Sequence, residues 1–141
     1  MKQARTFSKH IDRLRDQGIR PTRQRLQLAR LLFGDVDRHV CAEQLHREAI
    51  QAGVNVSLAT VYNTLHQFTS AGMLREISIE PGRVIFDTKI EDHHHFYYQD
   101  SRDLVDIPPS ALRLADVPEP PDGTEITGID VVIRVRDRAP R

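Results

Sequence analysis

Tryptophan is absent from this 141-residue chain, and cysteine occurs once, at Cys41. A single thiol excludes an internal disulfide framework and any zinc site made from paired cysteines, so no structural four-cysteine zinc is expected. No apolar run approaches the roughly 20 residues that span a bilayer, which removes the membrane from the expected partners. The opening segment, MKQARTFSKHIDRLRDQ, lacks the apolar stretch of a secretory signal, and the cytoplasm is the expected location. Aromatic residues make up only 6% and hydrophobic residues 39%. Those proportions suit one domain or two small ones with a modest core, to which pairing of two copies would add buried surface.

What is present is unevenly placed. Residues 1–73 carry 11 Lys and Arg against 6 Asp and Glu, a balance of +5, whereas residues 74–141 carry 9 against 14, a balance of −5. The formal net charge of zero therefore hides a basic half suited to an anion and an acidic half with a different task. Nucleic acid is the natural partner for the first.

Apolar spacing predicts four helices in the basic half. Phe7, Ile11 and Leu14 recur at helical intervals, and Gly18 supplies a stop. Thr22 follows Pro21 as the N-cap of a second helix facing inward through Leu26, Ala29, Leu32 and Phe33. A third, over 42–52, uses Ala42, Leu45 and Ala49; Cys41 stands at its N-cap, where Ser, Thr or Asp would cap better. Ser57 caps a fourth, with Leu58, Val61, Leu65 and Phe68 inward and Ala71-Gly72 at its close.

The third and fourth helices have the proportions of a helix-turn-helix. The fourth leaves Thr60, Tyr62, Asn63, His66 and Gln67 outward, side chains able to touch base edges, phosphates and thymine methyls. Two β-prone runs, Leu74–Ile79 and Val84–Phe86, flank the turn Glu80-Pro81-Gly82-Arg83 and predict a hairpin, or wing. Arg20, Arg23 and Arg25 at the entrance of the second helix suit phosphates or a narrow minor groove. The plainer alternatives are a helical bundle with a solvated polar face and ordinary surface arginines.

The acidic half opens on Glu91-Asp92, then His93-His94-His95, then Phe96-Tyr97-Tyr98. In a strand, His93 and His95 share a face about 7 Å apart, close enough to converge on one metal ion. A solvated histidine-rich loop is the competing reading.

Five strings together resemble the ferric uptake regulator superfamily of bacterial metal-responsive repressors. They are Gly18-Ile19-Arg20-Pro21-Thr22-x-x-Arg25, His39-Val40-Cys41-Ala42-Glu43-x-Leu45, Leu58-Ala59-Thr60-Val61-Tyr62-Asn63-x-Leu65, Gly82-Arg83-x-x-Phe86-Asp87 and His93-His94-His95. Within the superfamily the chain looks most like the iron response regulators of α-proteobacteria, having the His triplet and no paired cysteines. The resemblance implies an α+β protein, with a winged-helix DNA-binding domain over 1–88 and a small α/β dimerisation and sensing domain over 89–141. It implies a homodimer, or a tetramer, on AT-rich double-stranded operator DNA. Arg20 looks like the minor-groove arm, and Tyr62 like the residue that packs on thymines, with Arg23, Arg25, Ser57, Thr60 and Asn63 as further DNA contacts. Many relatives carry Arg where this chain has Asn63, so operator preference does not transfer.

By position, the resemblance assigns a sensing metal to His39, Asp87, His93 and His95. Three imidazoles and a carboxylate suit Fe²⁺, Mn²⁺ or Zn²⁺. Asp87 is shorter than the Glu common there, and Asp106 falls where many relatives carry a further acidic ligand. Tyr98 and Ser101 occupy positions of the missing cysteine pair; Arg113 and Ile129 replace ligands of another family site. Pro108-Pro109 and Pro118-Glu119-Pro120-Pro121 shorten the expected dimerisation helix to Ser110–Leu114. The dimer would lean on a last strand with Ile129, Val131, Ile133 and Val135 on its inner face.

Haem is the second ligand, with His93, His94 and His95 as candidates and haem or a haem-delivering protein as partner. The expected function is an iron-responsive, haem-modulated transcriptional regulator of iron and haem genes. The alternative is a repressor activated by Fe²⁺ or Mn²⁺. An enzyme is not expected, because a metal-dependent hydrolase would need a distinct general base and a substrate pocket.

Overall fold

The computed structural model describes the backbone of residues 2–139 and the side chains of residues 7–139. The chain divides into two compact units, Met1–Ile90 and Glu91–Arg141.

The first unit runs α1 (Lys2–Asp16), α2 (Arg23–Leu32), β1 (His39–Val40), α3 (Ala42–Gln51), α4 (Leu58–Ser70), β2 (Arg75–Glu80) and β3 (Arg83–Asp87). Helix ends follow the expected chemistry. Thr22 accepts a hydrogen bond from the Arg25 amide at 3.2 Å, and Ser57 accepts one from the Thr60 amide at 3.1 Å. Cys41 sits at the α3 N-cap without a side-chain cap bond. Gly18, at φ 75°, lets the Ile19 amide turn back to the Leu14 carbonyl at 2.8 Å and the Gly18 amide to that of Arg15 at 3.0 Å. The same closure follows α3 and α4, where Val54 bonds to Ala49 and Met73 to Phe68.

These helices enclose a core of Leu14, Leu28, Leu32, Leu45, Val61, Leu65 and Phe68, joined from the sheet by Val40 and Phe86. Leu28, unassigned by the spacing, is fully buried, while Leu26 and Phe33 are only partly so. The hairpin β2–β3 forms as expected, with Ile77 opposite Ile85 and a register irregularity between Ser78 and Glu80. A third strand was not foreseen. The two-residue β1 pairs antiparallel with β3, making a sheet of order β1-β3-β2.

The second unit holds β4 (His94–Tyr98), β5 (Leu104–Ile107) and β6 (Val132–Val135), in the order β5-β4-β6. β5 is antiparallel to β4 and β6 parallel to it. The helix expected over Ser110–Leu114 is reduced to one 3-10 turn, Pro109–Ala111, because two successive prolines remove the amides a helix would need. β6 is also shorter than the alternation suggested: Ile129 is exposed outside it, and Val131 precedes its first residue, its carbonyl accepting from the His95 amide at 3.1 Å.

Candidate functional site

Each unit carries ligand-type side chains assembled as a cross-strand pair. In the first, β1 and β3 place His39 directly opposite Asp87. Neighbouring side chains on facing strands stand within reach of one another, and His39 Nε2 lies 3.0 Å from Asp87 Oδ2. The other oxygen, Oδ1, accepts from the Lys89 amide at 2.9 Å, which fixes the carboxylate's rotation. Asp87 is 1% exposed, so its charge depends on such partners.

The strand ends are tied as firmly as the ligands. The Arg38 amide donates to Thr88 Oγ1 at 2.9 Å, and the Thr88 amide returns a bond to the Arg38 carbonyl at 3.1 Å. The Arg38 guanidinium grips Glu48 of α3 through both nitrogens, at 2.8 and 2.7 Å, and donates to the Leu31 carbonyl at 3.0 Å. The hydrogen bond to Glu48 raises the Arg38 pKa, and that from Arg38 lowers the Glu48 pKa. The residue before His39 is thus pinned to α2, to α3 and to the end of β3. Sequence reasoning missed this pair, since nothing local links positions 38 and 48.

In the second unit, β4 and β5 place His95 opposite Asp106. His95 Nε2 lies 3.2 Å from Asp106 Oδ1, and His93 Nε2 lies 3.3 Å from that same oxygen. The two imidazole centroids are 4.4 Å apart. His93 precedes the first residue of β4, yet it shares the site with His95. Its tautomer follows from its other nitrogen. Nδ1 lies 2.6 Å from the Glu91 carbonyl, which can only accept, so Nδ1 carries the proton. In the neutral ring the Nε2 lone pair then faces the Asp106 carboxylate. A cation held between these two acceptors would take a lone pair from each. Two imidazoles, one of them oriented by the backbone, and a carboxylate are the donor chemistry of a first-row divalent metal.

His94 is oriented the other way. Its Nδ1 accepts from the Val131 amide at 3.0 Å, so the neutral ring carries its proton on Nε2. It lines a cavity of about 370 Å³ with Asp92, Leu114, Ile126, Thr127, Gly128 and Ile129. The triplet therefore contains two kinds of histidine, distinguished by which nitrogen the backbone engages.

On the DNA-reading candidates, the first unit brings Arg25, Thr60 and Asn63 together with Thr22, Gln24, Thr64 and Gln67 around a polar groove of about 330 Å³. Arg25 also donates to the Arg20 carbonyl at 2.8 Å, shaping the loop that presents Arg20. Arg23, Asn63 and Ser57 are exposed. His46 Nε2 donates to the Val56 carbonyl at 3.0 Å, and Gln24 donates to that of Asn55 at 3.1 Å; both brace the turn between α3 and α4. Neither was singled out from the sequence, because each acts on backbone ten or more residues away.

The ferric uptake regulator family's model matches residues 16–113. The ferric uptake regulation protein of Neisseria meningitidis is 33% identical over 85 residues, covering 60% of this chain and 59% of that protein. Its Vibrio cholerae counterpart is 32% identical over 95 residues, covering 67% and 63%. The matches therefore span about three-fifths of the length of these curated relatives. The ferric uptake regulator of Pseudomonas aeruginosa, solved with manganese, superposes with a TM-score of 0.69 at 25% identity over 91% of this chain and 97% of that one. The Vibrio cholerae regulator shares the fold, with a TM-score of 0.70 at 22% identity over 91% and 99%. With α2 to α4, the hairpin and both cross-strand ligand pairs carried in one matching stretch, the chain belongs to the ferric uptake regulator family.

Proposed function

We propose that this chain is a metal-responsive DNA-binding transcriptional regulator, working in the cytoplasm as a homodimer on AT-rich duplex operators, and not an enzyme. One observation carries the reading. The pair His39–Asp87 is built into the same three-stranded sheet as the wing hairpin, so a ligand bound there acts directly on the DNA-reading unit. The reading assigns His39, Asp87, His93 and His95 to a single Fe²⁺, Mn²⁺ or Zn²⁺ ion, with Asp106 as a further ligand. Two donors in one unit and three in the other are each short of the four to six such ions take. A shared ion would draw on the ligands of both units and so fix the angle between the reading unit and the pairing unit. His93 contributes a lone pair already oriented by Glu91, and Asp87 a carboxylate already oriented by the Lys89 amide. Arg20, Arg23, Arg25, Ser57, Thr60, Tyr62 and Asn63 are assigned to DNA. Solved structures of similar proteins support the metal classes: one was solved with manganese, and another is described as a zinc-bound manganese uptake regulator.

The finer reading is an iron response regulator that binds DNA when iron is scarce and is relieved by haem. The His triplet and the lack of paired cysteines support it. With Nδ1 engaged as an acceptor, His94 would have to lose the Val131 bond or its Nε2 proton to ligate iron through Nε2. Haem ligation is thus assigned to His93 or His95 ahead of His94, in competition with the divalent ion. The alternative is a repressor for which Fe²⁺ or Mn²⁺ is the corepressor, and the comparisons support it equally. Duplex binding by fluorescence anisotropy, with apo, Mn²⁺-loaded and haem-loaded protein, separates them. Tightening by Mn²⁺ that is lost in His93→Ala/His95→Ala selects the corepressor reading, and weakening by haem selects the other. Duplex affinity indifferent to all three states would end the metal-responsive reading.

A further inference from the structure

Tyr62, on the second turn of α4, does not leave its hydroxyl to solvent. The phenol donates to Glu43 Oε1 at 2.6 Å, across the whole helix-turn-helix, since Glu43 lies in the first turn of α3. One face of the ring lies nearly parallel to His66, 18° between planes with centroids 6.4 Å apart. His66 in turn meets Phe86 of β3 edge-on, at 5.7 Å and 78°. The ring's inner part packs against the buried core, where Tyr62 is a partly buried member. A half-exposed tyrosine ordinarily samples several rotamers, but this one is held at its tip, on its face and at its base.

We propose that Glu43 is a specificity-determining positioning residue, which aims Tyr62 at base edges and denies it the phosphate backbone. Phosphate oxygens only accept hydrogen bonds, so a tyrosine binds them by donating its single O–H. Here that proton is committed to Glu43. What the residue still offers is an apolar ring edge and oxygen lone pairs, a surface that fits the C5 methyl of thymine and rejects phosphate. The Glu43 carboxylate beside it repels any phosphate that approaches. The pair's chemistry agrees with this geometry: the hydrogen bond from Tyr62 lowers the Glu43 pKa, and that to Glu43 raises the Tyr62 pKa. The inference rests on the DNA-binding reading and deepens it, because it says how a neutral side chain next to a carboxylate serves in a polyanion's reader.

The test uses a duplex that the full-length wild-type protein selects from a randomised pool, and that same duplex with deoxyuridine in place of thymidine. Affinities are measured with Mn²⁺ present and after chelation. Wild type should prefer the methylated duplex by at least about five-fold, the lower end of a base-specific contact. Glu43→Ala and Tyr62→Phe should each bring that ratio close to one, and the double variant should lower it no further. Glu43→Gln, which keeps an acceptor for the hydroxyl but loses the charge, should retain the ratio while binding both duplexes more tightly. Ultraviolet titration of the phenols without DNA should show one tyrosine ionising at lower pH in Glu43→Ala. A Glu43→Ala protein with the wild-type ratio, or losses in the two single variants that multiply in the double, would overturn the assignment. Failure of wild type to select any duplex would instead remove the DNA-binding reading, and this inference with it.

Discussion

The first unit buries Leu14, Leu28, Leu32, Leu45, Leu65 and Phe68 completely, whereas the described part of the second unit buries only two hydrophobic residues, Tyr97 and Ile107. Six of its large apolar side chains, Tyr98, Val105, Leu114, Val117, Ile126 and Ile129, remain exposed. Three of its four β6 side chains are half-buried and none is buried. A unit of about fifty residues that spends its hydrophobic content on the outside cannot supply much core of its own. Exposed apolar area of this kind is what an association surface uses. On the proposed reading the two halves would obtain stability by different routes: the first unit from its own interior, the second from the second copy that a dimer provides.

The contrast can be broken most forcefully by core deletion. Phe68→Ala removes a fully buried ring from the first unit and should cost about 3–5 kcal/mol, read by chemical denaturation. Ile129→Ser in the second unit should leave the first unit's denaturation midpoint unchanged and shift sedimentation toward the monomer. The contrast fails if Ile129→Ser destabilises both units equally at high protein concentration, where association is saturated.

The ligand pairs offer the next largest effect. If one ion engages both units, Asp87→Asn and His95→Ala should each weaken Mn²⁺ binding by on the order of 100-fold, since even supporting groups around a metal carry ten- to hundred-fold effects. Calorimetric titration reads both. Two independent weak sites, with Asp87→Asn abolishing one and leaving the other intact, would sink the shared-ion reading and confine each pair to its own unit.

A smaller effect concerns pH, and it belongs to the reading unit. His10 is buried in α1, and desolvation lowers its pKa below 6.5, assisted by the positive charges of Arg13, Lys9 and Arg30. The folded state therefore binds fewer protons than the unfolded one. His10 adds no penalty well above pH 6.5, and stability falls as pH drops below that value toward the folded pKa. His10→Leu should flatten this acid-side slope in denaturation curves taken from pH 7.5 to 5. An unchanged slope would mean that other groups set it.

How much was legible differs between the units for the same reason. Helical periodicity and capping residues are local signals, so Thr22, Ser57 and Gly18 marked the helix ends correctly, and the Pro81-Gly82 turn marked the hairpin. The pairing of β1 with β3 was not legible, because a two-residue strand has no period to detect. Nor was the Arg38–Glu48 bridge, a contact between a loop and a helix face. In the second unit the alternation from Ile129 to Val135 suggested a longer strand than forms. Alternation shows which side chains could share a face, but only backbone partners decide where pairing begins. Resemblance, not spacing, brought His39 into one set with His93 and His95 and offered Asp106 as an additional candidate; the β4–β5 register sets Asp106 opposite His95.

The finest comparison lies within the helix-turn-helix itself, between two caps of unequal quality. Ser57 accepts from the Thr60 amide at the start of α4, whereas Cys41 makes no such bond at the start of α3. Both have the extended backbone of an N-cap, with ψ of 157° and 162° respectively. A serine hydroxyl at position 41 would therefore find its amide partner in place. Ser57→Ala should cost about 1 kcal/mol, and Cys41→Ser should gain about 0.5 kcal/mol. If Cys41→Ser is instead destabilising, the sulfur contributes packing worth more than a cap. The weak start of α3 would then be a consequence of what its neighbours, Val40 and Ala42, bury.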